Sequence, residues 1–315
     1  IERTLSWEAV RHLFTFMATS SNQSIVDGVR KLEPGHFAVL REGHRLRTEQ
    51  YWDVEFTPDE TATEEELVER LRQLLVDAIA AHQISDVPVG AFLSGGIDSS
   101  AVVGLMARTS SAPVKTFSVG FREQGFDELR YARKVAARFG TDHHEIVLEP
   151  DVIPSLDDLV WYLDEPFGDA SAIPTYVVSK LAATQVKVVL TGDGGDELFA
   201  GYDKYVVEGR ERLYDRVPPR IRQLTGAVGA AMPEGMRGRR FLRHFGLDGS
   251  RRYLDASTLF AADEMPNLFR GAAFAEMKAY DPWAPSLSYL RQGGDWISAL
   301  QYRDLNTYLP LDILT

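Results

Sequence analysis

Short apolar runs and longer amphipathic stretches alternate through the middle of the chain. The runs that predict buried strands are 87–93, 114–121, 143–148 and 186–190. The stretches in which apolar residues recur at helical spacing are 64–82, 99–108, 127–139, 152–163 and 174–184. Strands that alternate with helices in this way predict a parallel sheet with right-handed crossovers. We therefore expect an α/β fold for this part of the chain.

The first 56 residues predict a small unit with a different pattern. Residues 7–18 have helical spacing, and two strand-like runs, 37–41 and 46–52, flank a polar turn, which predicts a hairpin. A unit of this size is too small to hold a core alone. We therefore expect it to pack against a structure outside this chain.

The polar stretch 57–63 lacks periodicity and predicts a linker to a second domain over 64–315, helical from about residue 202. The first helix of that domain, 64–82, starts with acidic residues, which suit a helix N-terminus. Its apolar stripe, which we expect to be buried, consists of Leu67, Leu71, Leu74, Leu75, Ala78 and Ile79. We also expect Trp161 and Tyr162 to lie in the core with Leu159.

The turn after the strand 87–93 carries small and polar side chains between two apolar segments. It is Ser94-Gly95-Gly96-Ile97-Asp98-Ser99, and a predicted helix follows it. A helix N-terminus offers free backbone N–H groups to an anion, and glycines let a phosphate approach the backbone closely. Asp98 would repel a phosphate unless a cation such as Mg²⁺ bridged the two. The turn therefore predicts a phosphate site; it lacks the lysine of the common NTPase loop, and a simply capped turn is the alternative.

A second polar loop follows the strand predicted at 186–190. It begins Thr191-Gly192-Asp193-Gly194-Gly195-Asp196-Glu197 and so places three carboxylates within a few residues. Such a cluster is tolerated in solvent, as in an exposed acidic turn, or facing a metal or another cation. Ligands of open α/β sheets bind beyond the carboxyl ends of strands, where both loops begin. The second loop is therefore also a candidate for ligand binding.

Together the two loops resemble the synthetase domain of the glutamine-dependent asparagine synthetases, which are ATP pyrophosphatases. The resemblance continues in the family's order at 115–121, 126–128, 131–133, 140–145, 164–166, 171–176 and 304–314. Residues 25–36 and Tyr51-Trp52 resemble the end of the amidotransferase domain that precedes the synthetase. The resemblance implies a parallel-sheet ATP-pyrophosphatase domain, similar to the adenine nucleotide alpha hydrolases, with a helical C-terminal extension.

The resemblance also implies a reaction in two steps. A carboxylate, aspartate in this family, attacks the α-phosphorus of ATP to give an acyl-adenylate and pyrophosphate; ammonia then displaces AMP and forms the amide. Asp193 would be the base that takes a proton from the nitrogen nucleophile, although many members carry a longer Glu at that position. The residues implied to hold ATP are Leu93, Ser94, Gly95, Gly96, Asp98, Ser99, Val119, Thr191 and Gly192.

Other charged residues have weaker implied roles. Asp98 would hold Mg²⁺, and Asp169 would either join it or cap the helix that follows. Asp196 and Glu197 would bind a metal or the cationic part of the substrate. The family's active-site lysine lies beyond Thr315, and its role does not transfer to Lys115, Lys180, Lys187 or Lys204. His143 and His144 lack metal-binding partners at suitable spacing, so we expect them to be structural.

Composition narrows the class of partners. The net charge of −12 argues against nucleic-acid binding, which requires a basic surface. We also expect no membrane segment, because no apolar run approaches the roughly 18 residues of a span and no signal-peptide pattern opens the chain. The expected location is the cytoplasm, and the expected partners are ATP, aspartate or another carboxylate, and ammonia. A homodimer remains open.

The absence of cysteine bears on the nitrogen source. Glutaminases of the resembled family use an N-terminal cysteine, and this chain has none. We therefore expect the N-terminal glutaminase domain to lie outside this chain, with residues 1–56 as its tail.

Three other functions remain open. Relatives that amidate or cyclise another carboxylate, as β-lactam synthetases and the amidotransferases of surface-polymer or peptide pathways do, would share both loops. A different ATP pyrophosphatase, such as a tRNA-thiolating enzyme, is disfavoured by the acidic charge and the lack of cysteine. A non-catalytic nucleotide-binding protein is disfavoured because Ser94, Asp98 and Asp193 are intact.

Overall fold

The computed structural model describes residues 2–122, 128–148, 156–290 and 295–314. The chain divides into two compact units. The first unit contains 1–56, 165–168 and 196–315, and the second contains 57–164 and 169–195. The division falls after residue 56, where the predicted linker begins, but it groups 196–315 with 1–56 instead of with the sheet.

The N-terminal part of the first unit contains α1 (Trp7–Phe16) and an antiparallel hairpin of β1 (His36–Val39) and β2 (Arg47–Gln50), as predicted. α1 packs against a later helix of the same unit, and the rings of Phe14 and Phe269 meet edge to face at 4.9 Å. α1 therefore has apolar partners within this chain, and the partner expected outside the chain stays a prediction. Its apolar partners come from the C-terminal helices, which the sequence pattern did not connect to it.

The second unit contains a parallel sheet with helices on both faces. Its strands are β3 (Val89–Phe92), β4 (Lys115–Phe121), β5 (Asp142–Leu148) and β6 (Val188–Leu190), in the order β5-β4-β3-β6. Its helices are α2 (Glu64–His82), α3 (Ile97–Thr109), α4 (Leu129–Phe139), α5 (Leu156–Leu163) and α6 (Ala172–Ala183). The predicted α/β fold is confirmed. Some predicted positions lie outside the described residues: Phe126, Asp127 and residues 152–155.

Two apolar clusters cover the faces of this sheet. One joins Ala91 and Leu93 to Val103 and Met106 of α3 and to Ala132 of α4. The other, on the opposite face, consists of Phe117, Val178, Ala182 and Val186, so that α6 packs there. Cover on both faces fits the apolar sequences of β3 and β6, whereas the edge strand β5 begins with four polar residues and is partly exposed.

The apolar stripe of α2 is only partly buried, which corrects the prediction. Ile79 is buried, whereas Leu67, Leu71 and Leu74 are exposed. Ile79 belongs to the apolar cluster that includes α3, but the three leucines lie in the earlier turns of α2 and stay outside it. The periodicity identified the helix correctly and overstated the length of its buried face.

The prediction that Trp161 and Tyr162 are core residues is wrong. Their side chains are 79% and 71% exposed, whereas Leu159 is buried. α5 has only eight residues and packs through one face against α6, so the remaining faces project outward.

The C-terminal part of the first unit is helical, as predicted. Its α-helices are α7 (Gly195–Phe199), α8 (Asp203–Glu211), α9 (Pro219–Ala231), α10 (Arg239–Phe245), α11 (Gly249–Ala256), α12 (Met265–Leu268), α13 (Gly271–Ala279), α14 (Trp283–Leu290) and α15 (Trp296–Asn306). A 3₁₀ turn covers Arg212–Arg216, and a π-helical turn covers Leu309–Ile313. Tyr205, Tyr253, Leu254, Leu290 and Leu300 form its core. In the described part of the chain, no helix combines the length and apolar character needed to cross a membrane.

Candidate functional site

The two polar loops begin at neighbouring strands of the sheet. β3 pairs in parallel with β6 on one side and with β4 on the other. The chain proceeds from β3 to β4 and β5 in one direction and later returns to place β6 on the opposite side. The crevice beyond the carboxyl ends of β3 and β6 is therefore the point at which the strand order reverses, the usual ligand position in this class of fold.

The second loop lies directly against the start of α3. A Cβ atom added to Gly192 would come within 2.8 Å of the Ser99 backbone nitrogen and 2.9 Å of the Asp98 Cβ. A Cβ added to Gly195 would come within 2.7 Å of the Asp98 carboxyl carbon. Close packing favours glycine at both positions, because a Cβ there would force either the loop or Asp98 to shift. Two of the three glycines of this loop thus lie against residues 94–99, which we call the phosphate turn after their predicted role.

The phosphate turn is preorganised by its own hydrogen bonds. The Ser94 and Ser99 hydroxyls are 2.9 Å apart, and the Gly96 N–H donates to the Ser94 hydroxyl at 3.2 Å. Gly95 has a φ of +88°, and a Cβ there would lie 2.6 Å from the backbone nitrogen of Ala132, so the turn requires glycine. Gly96 precedes α3, and no side chain caps the helix. The helix N-terminus is therefore available to an anion.

The residues assigned to the adenosine lie on or just after neighbouring strands: Leu93 follows β3, Val119 is within β4, and Thr191 follows β6. Leu93 is buried; its N–H donates to the Phe117 carbonyl at 2.9 Å, and its carbonyl accepts from the Ser118 hydroxyl. Val119 packs against the apolar cluster of Phe117. The Thr191 hydroxyl accepts a hydrogen bond from the Asp193 N–H at 3.4 Å, which orders the first residues of the second loop.

The carboxylates have different environments. Asp193 is exposed, and Asp98 lies partly exposed in the first turn of α3. Asp169 accepts a hydrogen bond from the Ser171 N–H at 2.7 Å in the turn before α6, and no side chain caps that helix, so the metal and capping roles of Asp169 both stay predictions. Over the described ranges, no three Asp, Glu, His or Cys side chains cluster as a ready metal site. A single carboxylate at a phosphate turn fits Mg²⁺, which takes few protein ligands and completes its shell with phosphate oxygens and water.

The next carboxylates, Asp196 and Glu197, belong to the first unit. Asp196 is half-buried, and a Cβ added to Gly201 would clash with its carboxylate. Glu197 is fully buried and accepts from the Tyr202 hydroxyl at 2.7 Å. Burial raises the pKa of Glu197 against the lowering effect of that hydrogen bond.

A buried polar network, which sequence reasoning missed, continues from Glu197. The Lys204 ammonium lies 3.0 Å from the Asp304 carboxylate and stacks over the rings of Tyr202 and Tyr308 at 4.6 and 4.2 Å. Burial lowers the pKa of Lys204, and Asp304 opposes that effect. Locally, the sequence shows only that Tyr202 and Lys204 follow the acidic loop by a few residues; their partner Asp304 lies far away in the chain.

His143 and His144 lie in β5 among structural contacts. His143 Nδ1 is 2.9 Å from the Thr116 hydroxyl, and the His144 ring stacks on Phe117 with centroids 5.5 Å apart. Both histidines therefore make contacts with other residues of the sheet.

Comparison with known proteins identifies the family. The sequence profile described as asparagine synthase matches residues 70–315. An asparagine synthetase (glutamine-hydrolyzing) of Bacillus subtilis is 34% identical over 314 residues, and a putative asparagine synthetase (glutamine-hydrolyzing) of Mycobacterium bovis is 33% identical over 310. These alignments cover 98% and 97% of this chain but 48% and 47% of the relatives, so the chain spans about half the length of the curated relatives it matches.

Two further comparisons are more distant. A protein named amidase of Penicillium rubens is 35% identical over 204 residues, covering 58% of this chain and 30% of that protein. The solved structure of an ammonia-dependent NAD synthetase from Campylobacter jejuni covers 67% of this chain and 92% of that one, with a TM-score of 0.31 and 14% identity, too distant to carry an argument. The profile match and the relatives of about one-third identity are decisive. This chain belongs to the asparagine synthase family.

Proposed function

We propose that this protein catalyses the ATP-dependent amidation of a carboxylate, with aspartate as the carboxylate and an aspartyl-adenylate as the intermediate. The observation that carries the proposal is the packing of Gly192 and Gly195 against Asp98 and the start of α3. It brings a phosphate turn and an acidic loop to one crevice, as an adenylating ligase requires.

In the first step, a substrate carboxylate oxygen attacks the α-phosphorus of ATP, and the bond to pyrophosphate breaks. Ser94, Gly95, Gly96 and Ser99 would bind the pyrophosphate through hydroxyls and backbone N–H groups. Leu93, Val119, Thr191 and Gly192 would hold the adenosine. Asp98 would hold Mg²⁺, with Asp169 as the second candidate, and the ion would supply positive charge against the phosphates.

In the second step, ammonia attacks the acyl carbon, and AMP leaves with the electrons of the broken C–O bond. The nitrogen must lose a proton as the amide forms, so a base is required at this stage. Asp193 is our candidate, because it lies near the start of the second loop and is exposed. Asp196 and Glu197 are the candidates for the cationic part of the substrate, and Asp196 is the more accessible of the two.

The ammonia would come from glutamine hydrolysis in a domain outside this chain. The chain has no cysteine and so cannot supply the thiolate nucleophile of such a glutaminase. On this proposal the chain alone uses added ammonium and not glutamine.

A second candidate is the same chemistry on a different carboxylate. The amidase-named relative supports it, because 58% of this chain aligns to a protein with a different printed activity. Both loops serve adenylation, whichever acid is activated.

A pyrophosphate-release assay on the full-length protein tests the proposal. ATP, Mg²⁺ and ammonium are supplied with aspartate, glutamate, a β-amino acid or no acid. We expect aspartate to give the fastest release, together with AMP and asparagine. Release with another acid alone would select the second candidate, and release of orthophosphate and ADP would contradict adenylation altogether.

A further inference from the structure

A cavity in the first unit lies apart from the loops described above. Its volume is about 560 Å³, within the range of small-molecule sites. Thr15 of α1, Met265 of α12, Phe274 and Met277 of α13, and Trp283 of α14 line it. Thr15, Met265 and Met277 are nearly fully buried, so the deep part of the cavity is apolar.

One charged side chain is buried in the wall of this cavity. Arg11, on α1 one turn before Thr15, is only 6% exposed. In the described part of the chain, its Nη1 atom is buried without a hydrogen-bond acceptor. A guanidinium carries five N–H donors, and a buried one normally pairs with a carboxylate or another planar acceptor. The unmet hydrogen-bonding capacity of Arg11 therefore calls for an acceptor from outside the protein.

The other charged residues at the cavity leave room for an anion. Asp281 attracts Arg11 electrostatically, but its Oδ1 accepts from the Trp283 N–H at 3.0 Å. Arg243 donates to Asp263 at 2.7 Å, and Arg239 donates to the same carboxylate, so Arg243 is already held in an ion pair. Lys278 is exposed at the rim. Arg11, Lys278 and Asp281 together carry one net positive charge, and the group of Arg239, Arg243 and Asp263 carries another, so the charge at the cavity favours an anionic ligand.

We propose that this cavity binds an amphipathic organic monocarboxylate, with its carboxylate on Arg11 and its hydrocarbon part among Met265, Met277, Phe274 and Trp283. Two oxygens of a carboxylate match the guanidinium fork, and the ion pair forms where water is largely excluded. The apolar walls supply the hydrophobic part of the affinity. This site goes beyond the proposed amidation and does not depend on it.

Isothermal titration calorimetry on the full-length protein, without ATP, tests the site with three probes. Decanoate has both the carboxylate and the tail, decanol has only the tail, and acetate has only the carboxylate. We expect decanoate to bind at one site per chain and at least about tenfold more tightly than decanol, since a charge-assisted pair is lost with the alcohol. Acetate should give no measurable heat.

Variants assign the binding to this cavity. Arg11→Met should fold, because replacing an unpaired buried charge by an apolar side chain of similar length is seldom destabilising. It should abolish the preference for decanoate over decanol. Lys278→Glu, at the exposed rim, should weaken decanoate several-fold, and Arg220→Met on exposed α9 is the matched control that should change nothing.

Three results would overturn the site. They are an absence of decanoate binding, equal binding of decanoate and decanol, and an unchanged preference in Arg11→Met. If Arg11→Met proved insoluble, Lys278→Glu would decide, and unaltered decanoate affinity in that variant would reject the proposal.

Discussion

Asp98 is the residue on which the phosphate turn and the second loop converge. Gly192 and Gly195 approach it so closely that neither position tolerates a Cβ atom. A carboxylate in the first turn of a helix is favoured by the helix dipole but repels phosphate. The proposed Mg²⁺ on Asp98 would offset this repulsion.

Replacement of Asp98 by Asn should lower the rate of Mg²⁺-dependent pyrophosphate release by about a hundredfold or more, because the amide is a poor Mg²⁺ ligand. The fold should persist, since the two side chains have the same shape. Pyrophosphate release and circular dichroism on the full-length enzyme measure both effects. Asp86→Asn, at an exposed position before β3, is the control that should retain activity. Normal release in Asp98→Asn would remove the carboxylate from the reaction.

Asp193→Asn should impair amide formation more than adenylation. A base is needed when the amine attacks but not when the carboxylate does. The ratio of ATP–pyrophosphate exchange to amide production in one preparation is the measurement, and we expect this ratio to rise by about tenfold or more. Equal losses in both reactions would instead assign Asp193 to nucleotide binding or to loop structure.

The sequence predicts the role of a single residue when that role depends on its neighbours in the chain. Ser94, Asp98 and Gly192 were identified because each lies in a short loop after a strand, and the structure brings the two loops together. Arg11 and Lys204 were not identified as site residues. Their environments depend on residues far away in the chain: Asp281 lies near Arg11, and Asp304 pairs with Lys204.

At the scale of elements, the close approach of the second loop to α3 makes a distinct prediction. Gly195→Ala should weaken ATP binding by about tenfold or more, because the new methyl group would overlap the Asp98 carboxyl and push the loops apart. A binding titration with ATP and Mg²⁺ measures the effect. Gly209→Ala, within α8, is the control: its Cβ would meet only the Trp296 ring, at 3.3 Å. Unchanged ATP affinity in Gly195→Ala would mean that the loops need not touch during binding.

Elements with strong periodicity were predicted to within a few residues, and their packing was not. β4 and α2 begin and end close to the predicted positions. Strand-forming residues and acidic residues at a helix start can be recognised from the sequence of the element itself. The exposure of Leu67 and Leu74 was missed because a stripe of leucines shows which face is apolar, not what covers it. The packing of α1 on α13 was missed for the same reason.

At the scale of the whole molecule, the division into two units could not be predicted from the sequence. Residues 1–56 lie more than a hundred residues from 196–315 in the chain, and no periodicity links them. Nevertheless α1 and the C-terminal helices share one core, in which His12 of α1 is buried. Folding of the first unit is therefore coupled to the charge state of its buried groups.

His12 should make the stability of the protein depend on pH. Burial lowers its pKa to about 4, helped by the nearby positive charges of Arg303 and Lys31 and opposed by its hydrogen bond to the Ala18 carbonyl. Between about pH 6.5 and pH 4 the unfolded chain binds a proton that the folded chain does not, so stability is lost as the pH falls through this window, by on the order of 3 kcal/mol in total.

Denaturant unfolding of the wild type and of His12→Gln at about pH 7 and about pH 5 isolates this effect. The variant should lose less stability on acidification than the wild type, because the other titrating groups are common to both. An equal loss in the two proteins would show that His12 is not buried in its neutral form.

We propose that a substrate carboxylate attacks the α-phosphorus of ATP in the crevice beyond β3 and β6. The most direct test is to supply the full-length enzyme with ATP, Mg²⁺, ammonium and aspartate labelled with heavy oxygen in its side-chain carboxylate, and to analyse the products by mass spectrometry. Attack at the α-phosphorus predicts one heavy oxygen in AMP and none in pyrophosphate. Unlabelled AMP, or heavy oxygen in orthophosphate, would contradict the account.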